Sequence, residues 1–266
     1  MSFSIDGKTA IVTGAANGIG LAIGRHFAKH GANVMFADMD EARLAHELGD
    51  AAEDSNIRYF AGDLREKLTI ANLLSATIDA FDQVDILVNG SRQVLPTDPL
   101  ADDDESVEQL LQQNLLTSYR LSQLVARRMI KQAEGREDGQ VGAIVNISSI
   151  AARRTLPELT GYSVSTAALD QMTRSMAVAL APYRIRVNAV AFGSVMSASL
   201  KGSLKTNGDF RDEIEEHTPL ARIASPTELA EAAQFLASDS AGFVTGQILT
   251  VDGGRTLIDA VNCPVH

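Results

Sequence analysis

The chain has 266 residues and a formal net charge of −11, and 45% of its residues are hydrophobic. This length and apolar content suit one α/β domain with a large core, or two smaller domains. A strongly acidic chain is a poor partner for nucleic acid or for an anionic membrane surface, because both favour basic proteins. No apolar run reaches the length of about 18 residues that a membrane-spanning helix requires.

Cysteine and histidine usage gives two further expectations. The single cysteine, Cys263, cannot form a disulfide within the chain, so we expect a cytoplasmic protein. His26 and His30 stand four residues apart on the first predicted helix, but the sequence offers no third ligand beside them. We therefore expect a surface pair and no metal site.

Short apolar runs alternate with helical patterns along most of the chain. The predicted strands are residues 9–12, 33–37, 57–61, 84–88, 143–147, 185–190 and 248–251. The predicted helices are a first helix that follows Gly20 and then residues 40–53, 64–81, 103–132 and 162–181. Single helices between strands imply parallel pairing through right-handed crossovers, and nearly continuous apolar strands imply burial on both faces. We therefore predict one doubly wound Rossmann-type α/β domain over residues 1–266, with a seven-stranded parallel sheet flanked by helices.

A long polar insert, residues 194–224, separates the last two predicted strands. It contains Gly202, Gly208 and Pro219, and we expect it to form a mobile lid over the substrate. The helix after it is well signalled, because Ser225, Pro226 and Glu228 form the pattern of a capping box with proline at the first helical position.

Three glycines follow the first predicted strand directly. Gly14, Gly18 and Gly20 have the spacing G-x-x-x-G-x-G, and a helical pattern begins there. Glycine permits a sharp turn and close approach of a ligand, and the free N–H groups at a helix N-terminus suit a phosphate. The pattern favours a dinucleotide pyrophosphate site, and the alternative is an ordinary glycine-rich turn.

Acidic residues end the next two predicted strands. Asp38 can accept hydrogen bonds from both hydroxyls of an adenosine ribose, and it would repel a 2′-phosphate, so we expect NAD rather than NADP. The alternative for Asp38 is a solvated loop carboxylate. Asp63 could receive the adenine amino group with Leu64 packed beside the ring, and the alternative role of Asp63 as a helix N-cap is compatible with this contact.

Together with these features, motifs spread along the chain resemble the short-chain dehydrogenase/reductase family. The resemblance covers residue 7 to about residue 257. The matching positions are residues 13–20, Asn89, Asn114, residues 146–149, Tyr162, residues 186–193 and residues 246–254.

The resemblance implies an NAD-dependent oxidoreductase that acts on a small secondary alcohol or ketone. It implies that Tyr162 is the general acid/base, that Ser149 orients the substrate oxygen, and that Asn114 holds a water in the proton relay. It also implies a homotetramer or dimer built on the long helices 103–132 and 162–181. With the inferences above, the expected cofactor-binding residues are Gly14, Asn17, Gly18, Ile19, Gly20, Asp38, Asp63, Leu64, Asn89, Tyr162, Thr166, Gly193, Val195 and Ser197.

Three departures from the family pattern lie at the reaction end. The family motif Tyr-x-x-x-Lys ends here in Thr166, which can keep a hydrogen bond to the ribose but has no charge. The family's Asn-Asn-Ala-Gly is replaced by residues 89–92, which end in Arg92, and its Pro-Gly is replaced by Phe192 and Gly193. The loss of the lysine leaves two hypotheses, an enzyme of weakened activity or an NAD-binding pseudoenzyme that acts as a sensor or as a structural partner in an oligomer.

A cation from elsewhere in the chain could replace the missing lysine. Arg92 is the nearest candidate by its position in the motif. The alternative is that all such residues are solvated surface charges. The other candidates on loops that border the predicted cleft are Arg153, Arg154, Lys201 and Lys205.

Overall fold

The predicted parallel sheet is present in the computed structural model, which describes residues 3–49 and 56–259. Its strand order is β3-β2-β1-β4-β5-β6-β7, and every pairing is parallel. The strands are β1 (Thr9–Thr13), β2 (Asn33–Asp38), β3 (Ile57–Ala61), β4 (Ile86–Asn89), β5 (Gly142–Ser149), β6 (Ile185–Phe192) and β7 (Ile248–Val251).

Helices cover both faces of the sheet, which confirms the doubly wound Rossmann-type fold. Residues of α1, α2 and α9 share one buried apolar cluster with the sheet, and residues of α3, α5 and α6 share the cluster on the opposite face. The helices are α1 (Gly18–Lys29), α2 (Glu41–Leu48), α3 (Lys67–Phe81), α4 (Ser106–Leu110), α5 (Thr117–Gln132), α6 (Thr160–Leu180), α7 (Ala198–Thr206), α8 (Phe210–Glu216) and α9 (Pro226–Ala237).

Several boundaries differ from the predicted ones. The predicted strand 84–88 begins at Ile86, because the backbone of Val84 is bonded to the side-chain amide of Gln132 rather than to a neighbouring strand. Strands β5 and β6 run on to Ser149 and Phe192, and these two residues lie side by side at the carboxyl edge. The part of the predicted helix 40–53 beyond residue 49 lies outside the described residues.

The predicted long helix 103–132 is interrupted. After α4, the segment Leu111–Leu116 forms a π turn, and α-helical geometry resumes only in α5. A π turn inserts an extra residue into the helix and changes the direction of its side chains, and such turns are frequent at functional sites. Here the turn carries Gln113 and Asn114, whose contacts are described below.

The insert, residues 194–224, contains two short helices, α7 and α8, and its mobility stays a prediction. Its two ends are joined, because Val195 forms a parallel bridge with Ala224 and the amide of Met196 donates to the Ala224 carbonyl at 2.9 Å. The capping box predicted for the next helix is confirmed at Ser225 and Glu228. In the described part of the chain, no helix combines the length and apolar character needed to cross a membrane.

A buried arginine ties β6 to the end of α9. Arg186 is 6% exposed, and its guanidinium donates to the carbonyls of Leu236, Ser238 and Val244 and to the side chain of Gln140. Burial lowers the pKa of Arg186 to about 10, so the side chain is charged at neutral pH. A buried charge of this kind is stabilising only when its donors are matched, as they are here.

We predict that Arg186→Met destabilises the fold. The substitution leaves several buried carbonyl oxygens without a donor, which costs about 3 kcal/mol of unfolding free energy. Denaturant unfolding measures the loss, and Arg127→Met, at an exposed position of α5, is the control that should stay within about 0.5 kcal/mol of the unmodified protein. Equal stability of the two variants would contradict the structural role of Arg186.

Candidate active site

A cleft of about 590 Å³ opens at the carboxyl ends of β1, β2 and β4. This edge, where the strand order reverses, is where ligands bind on such sheets. The residues that line it are Gly14, Asn17, Gly18, Ile19, Gly20, Asp38, Met39, Gly62, Asp63, Leu64, Arg65, Gly90, Ser91, Arg92, Gln93, Val94, Gln113 and Ser197.

The glycines at the floor of the cleft are required by close backbone packing. A Cβ on Gly20 would lie 2.2 Å from the carbonyl oxygen of Gly14. Gly14 itself has φ +66°, and a Cβ there would lie 2.6 Å from the carbonyl oxygen of Gly90. Side chains are therefore excluded where β1 passes into α1, and the backbone N–H groups at the start of α1 face an open cradle that suits a phosphate.

Asp38 fastens the glycine-rich loop to the end of β2. Its Oδ2 accepts from the backbone N–H of Ala16 at 3.0 Å, and its Oδ1 accepts from the N–H of Asp40 at 3.2 Å. Each carboxylate oxygen has a second lone pair, so Asp38 can still accept hydrogen bonds from a ligand in the cleft.

Asp63 holds an arginine at the same rim. The Arg65 guanidinium donates to the Asp63 carboxylate at 2.6 Å, and this bond holds the pKa of Asp63 below its usual range. The alternative role of Asp63 as the N-cap of α3 is wrong, because that helix begins at Lys67 after Glu66. Arg65 was not among the predicted site residues, and no motif pointed to it.

Tyr162 lies at the start of α6 with its hydroxyl bonded to an arginine from another loop. The side chain is 5% exposed, and its phenol oxygen accepts from Nη1 of Arg92 at 2.8 Å. The Cζ atom of Arg92 also lies 4.3 Å from the centre of the Phe192 ring, within the range of a cation–π contact. Arg92 is therefore the candidate cation that reaches the tyrosine.

The other candidate cations have different partners or lie on the insert. Arg153 donates to the hydroxyl of Thr250 at 3.4 Å, and Arg154 donates to the carbonyl of Thr256. Lys201 and Lys205 are exposed side chains of α7. None of these four has a hydrogen bond to Tyr162 among the described residues.

Ser149 and Thr166 are both buried, Ser149 on β5 and Thr166 on the same helix as Tyr162. Ser149 ends β5 and is 8% exposed, and its hydroxyl oxygen accepts from the N–H of Ala151 at 3.2 Å. Thr166 is buried one helical turn after Tyr162, and its hydroxyl donates to the carbonyl oxygens of Tyr162 and Ser163. The hydroxyl of Thr166 is thus turned towards its own helix, and its contact with a ribose stays a prediction.

Asn89 and Asn114 each bind protein groups. The Asn89 amide donates to Ser122 and to Asn146, and it is buried between β4, β5 and α5. The Asn114 side chain accepts from the N–H of Gln93 at 2.8 Å and donates to the carbonyl of the same residue at 3.0 Å. Asn114 therefore holds the loop after β4 directly, and its role in a proton relay stays a prediction.

The predicted site residues fall into two groups. Those that line the cleft are Gly14, Asn17, Gly18, Ile19, Gly20, Asp38, Asp63, Leu64 and Ser197. Those outside its lining are Asn89, Asn114, Ser149, Tyr162, Thr166, Gly193 and Val195, and of these Tyr162 contacts Arg92. Arg92 belongs to the cleft lining and also contacts Tyr162, so it joins the two groups.

Comparison with known proteins identifies the family. The family model described as enoyl-(acyl carrier protein) reductase matches residues 14–256. The 7α-hydroxysteroid dehydrogenase of Escherichia coli strain K12 is 36% identical over 255 residues, which cover 94% of this chain and 94% of that protein. The cis-4-hydroxycyclohexanecarboxylate dehydrogenase of Sinomonas cyclohexanicum is 36% identical over 253 residues, which cover 94% of this chain and 97% of that protein.

Solved structures agree with these matches. A 7α-hydroxysteroid dehydrogenase complexed with NADH and 7-oxo glycochenodeoxycholic acid has a TM-score of 0.85 and 33% identity, and covers 95% of this chain and 96% of its own. A protein described as a gluconate dehydrogenase from Agrobacterium tumefaciens has a TM-score of 0.87 and 27% identity. The match covers 97% of this chain and 100% of that protein's chain. The chain belongs to the short-chain dehydrogenase/reductase family and is an oxidoreductase of that type, which confirms the resemblance drawn from its motifs.

A buried carboxyl group contacts Ser148, the neighbour of Ser149 on β5. Asp170 is 4% exposed on α6, and its Oδ1 accepts from the hydroxyl of Ser148 at 2.6 Å. Burial raises the pKa of Asp170 above its usual value, while the Ser148 hydrogen bond and the charges of Arg153 and Arg174 act in the opposite sense.

We predict that Asp170→Asn gains stability relative to the unmodified protein as the pH rises. The folded state holds the Asp170 proton more tightly than the unfolded chain does, so the stability that this proton contributes is lost as the pH rises from about 3.8 through the raised pKa. The asparagine of the variant has no such proton to lose, and its amide oxygen still accepts a hydrogen bond from Ser148. Thermal unfolding from about pH 4 to about pH 7 measures the difference. A difference that stays constant or shrinks, or the same trend in the exposed control Asp209→Asn, would contradict this assignment.

Proposed function

We propose that the protein is an NAD-dependent oxidoreductase that interconverts a secondary alcohol and a ketone, with Tyr162 as its acid/base group. The observation that carries the proposal is that Arg92 lines the same cleft as the glycines and Asp38 and also donates to the hydroxyl of Tyr162. Relatives named for dehydrogenation of a hydroxysteroid and of a hydroxycyclohexanecarboxylate support an alcohol on a carbon ring as the substrate class.

The residues present fit a dinucleotide. Gly14 and Gly20 let the backbone pack closely enough for the start of α1 to offer its N–H groups to the cleft, and Asp38 offers acceptors for the adenosine ribose. The nicotinamide, when bound, supplies the acceptor or donor of hydride. Tyr162 would take the proton from the substrate hydroxyl during oxidation and return it during reduction, while Ser149 would hold the substrate oxygen.

The insert and the helix surfaces extend this proposal. Residues 194–224, joined at Val195 and Ala224, would form a lid that excludes water from the substrate. A second copy of the chain would pack on α5 and α6, where apolar side chains such as Val164 and Val178 are 45% and 77% exposed. This packing corresponds to the expected dimer or tetramer.

We predict that the protein binds NADH more tightly than NADPH and that Asp38→Asn reduces this preference by about tenfold. The carboxylate repels a 2′-phosphate, and the amide removes the charge while it keeps an acceptor for the ribose. Calorimetry with both cofactors measures the ratio of the dissociation constants. Asp40→Asn is the matched control, because asparagine preserves the cap on the N–H of Arg43 and the ratio should not change. Equal affinity of the unmodified protein for the two cofactors would contradict the role of Asp38.

We predict turnover against a panel of cyclic secondary alcohols with NAD, and a loss of about 100-fold or more in Tyr162→Phe. The phenylalanine removes the group that exchanges the proton, and the variant should still bind NADH measurably. Tyr183→Phe, at a side chain that is 49% exposed after α6, is the control that should keep full activity.

The second candidate function is a cofactor-binding protein without catalysis. It is favoured by Thr166, which places a neutral side chain one turn after Tyr162 and engages its hydroxyl with the helix. NADH binding without turnover on any member of the panel, followed by turnover in Thr166→Lys, would support this function and contradict the first one.

A further inference from the structure

One cationic side chain lies against the tyrosine in this site. The Arg92 guanidinium donates to the Tyr162 oxygen at 2.8 Å, although the two residues are 70 positions apart in the chain. A guanidinium stays protonated at any working pH and has no acceptor, so the phenol oxygen must be the acceptor of this bond. The bond becomes stronger when the phenol oxygen carries a negative charge.

The position of Arg92 is fixed from several sides. The Thr13 hydroxyl accepts from the backbone N–H groups of Gly90 and Ser91, both at 3.1 Å. The π turn holds the neighbours of Arg92, because Gln113 donates to the Ser91 hydroxyl at 2.9 Å and Asn114 forms two hydrogen bonds with the backbone of Gln93. The loop is therefore bonded immediately before and immediately after Arg92.

The side chain of Arg92 has its own support at the reaction end. Phe192 closes β6 beside Ser149, and its ring centre lies 4.3 Å from the Arg92 Cζ atom. An aromatic face attracts a guanidinium and covers one side of it, while the charged edge stays free to donate. Phe192 thus directs the guanidinium towards Tyr162 without neutralising its charge.

Other charged groups surround the start of α6 without contacting the Tyr162 hydroxyl. Asp170 is bonded to Ser148, and Asp104 accepts from the backbone N–H groups of Asp98 and Ser106. Segments next to the start of α6 in the chain or in contact with it also carry Glu105, Glu108, Arg153, Arg154 and Glu158. None of them has a hydrogen bond to Tyr162 among the described residues.

We propose that Arg92 is the cation that stabilises the phenolate of Tyr162, so that the two side chains act as one acid/base unit supplied by different parts of the chain. The inference rests on the proposed function for the reaction that this unit serves. In the oxidation direction, the substrate O–H bond would break and its proton would move to the Tyr162 oxygen, while a nicotinamide, when bound, would supply the acceptor for the hydride lost from the carbon. Arg92 keeps its protons throughout and compensates the charge that Tyr162 carries before the transfer.

Titration of Tyr162 by ultraviolet absorbance tests this proposal without substrate or cofactor. The chain has four tyrosines and no tryptophan, so subtraction of the Tyr162→Phe curve isolates the ionisation of Tyr162. We expect the midpoint of that ionisation to lie at higher pH in Arg92→Gln than in the unmodified protein, because the phenolate loses a charged hydrogen-bond donor. Arg92→Lys keeps a positive charge within reach of the phenol and should restore at least half of the difference.

A midpoint that is the same in the unmodified protein and in Arg92→Gln would overturn the proposal. The matched control is Arg153→Gln, which removes a positive charge at the same end of the sheet from a side chain that contacts Thr250. A larger shift in Arg153→Gln than in Arg92→Gln would also overturn it. Arg92 is exposed on a loop, so thermal unfolding of its variants should match that of the unmodified protein.

Kinetics and binding separate this inference from the proposed function. In Arg92→Gln, the pH at which oxidation reaches half of its maximal rate should rise with the titration midpoint, and NADH binding should remain measurable. Much tighter NADH binding together with faster turnover in Arg92→Gln would show that Arg92 blocks the site, and would overturn the inference. A shift in the titration without NADH binding would instead refute the proposed function and leave the Arg92–Tyr162 unit in place.

Discussion

The close approach of α1 to the end of β1 is the constraint on which the rest of the site depends. Gly20 packs directly on the carbonyl of Gly14, and Gly14 packs on the loop after β4, so three segments meet without an intervening side chain. This packing leaves the first N–H groups of α1 facing the cleft and brings Ala16 to the Asp38 carboxylate. The same contact fixes where the loop that carries Arg92 leaves the sheet.

The three departures from the family pattern meet in space. Arg92 lies over Phe192 and donates to Tyr162, and Thr166 stands one turn after Tyr162 on α6. The positive charge that the family has on this helix is absent from α6 at Thr166. A positive charge is present instead at Arg92, on the loop after β4, where it lines the cleft. The π turn belongs to the same arrangement, because its Gln113 and Asn114 hold the residues on both sides of Arg92. Changes that are separate in the sequence form one cluster in the fold.

Most of the fold could be predicted because buried parallel strands leave continuous apolar runs, and the glycines and acids that end them mark the ligand edge. The π turn could not, because Leu111–Leu116 has the composition of an ordinary helix and its geometry depends on what it packs against. Arg92 could be singled out by its motif position, but its contact with Tyr162 depends on the conformation of two side chains far apart in the chain. Neither the two hydrogen bonds between Asn114 and the backbone of Gln93 nor the ion pair between Asp63 and Arg65 could be predicted from a sequence pattern.

Arg92 joins the proposed cofactor cleft to the proposed acid/base group Tyr162. The most direct measurement is a crystal structure of the protein with bound NADH. The account predicts the adenosine ribose on Asp38, the pyrophosphate over the start of α1, and the Arg92 guanidinium within hydrogen-bond distance of the Tyr162 oxygen. A structure in which Arg92 turns away from Tyr162 to make room for the nicotinamide, or in which the ribose lies away from Asp38, would contradict it.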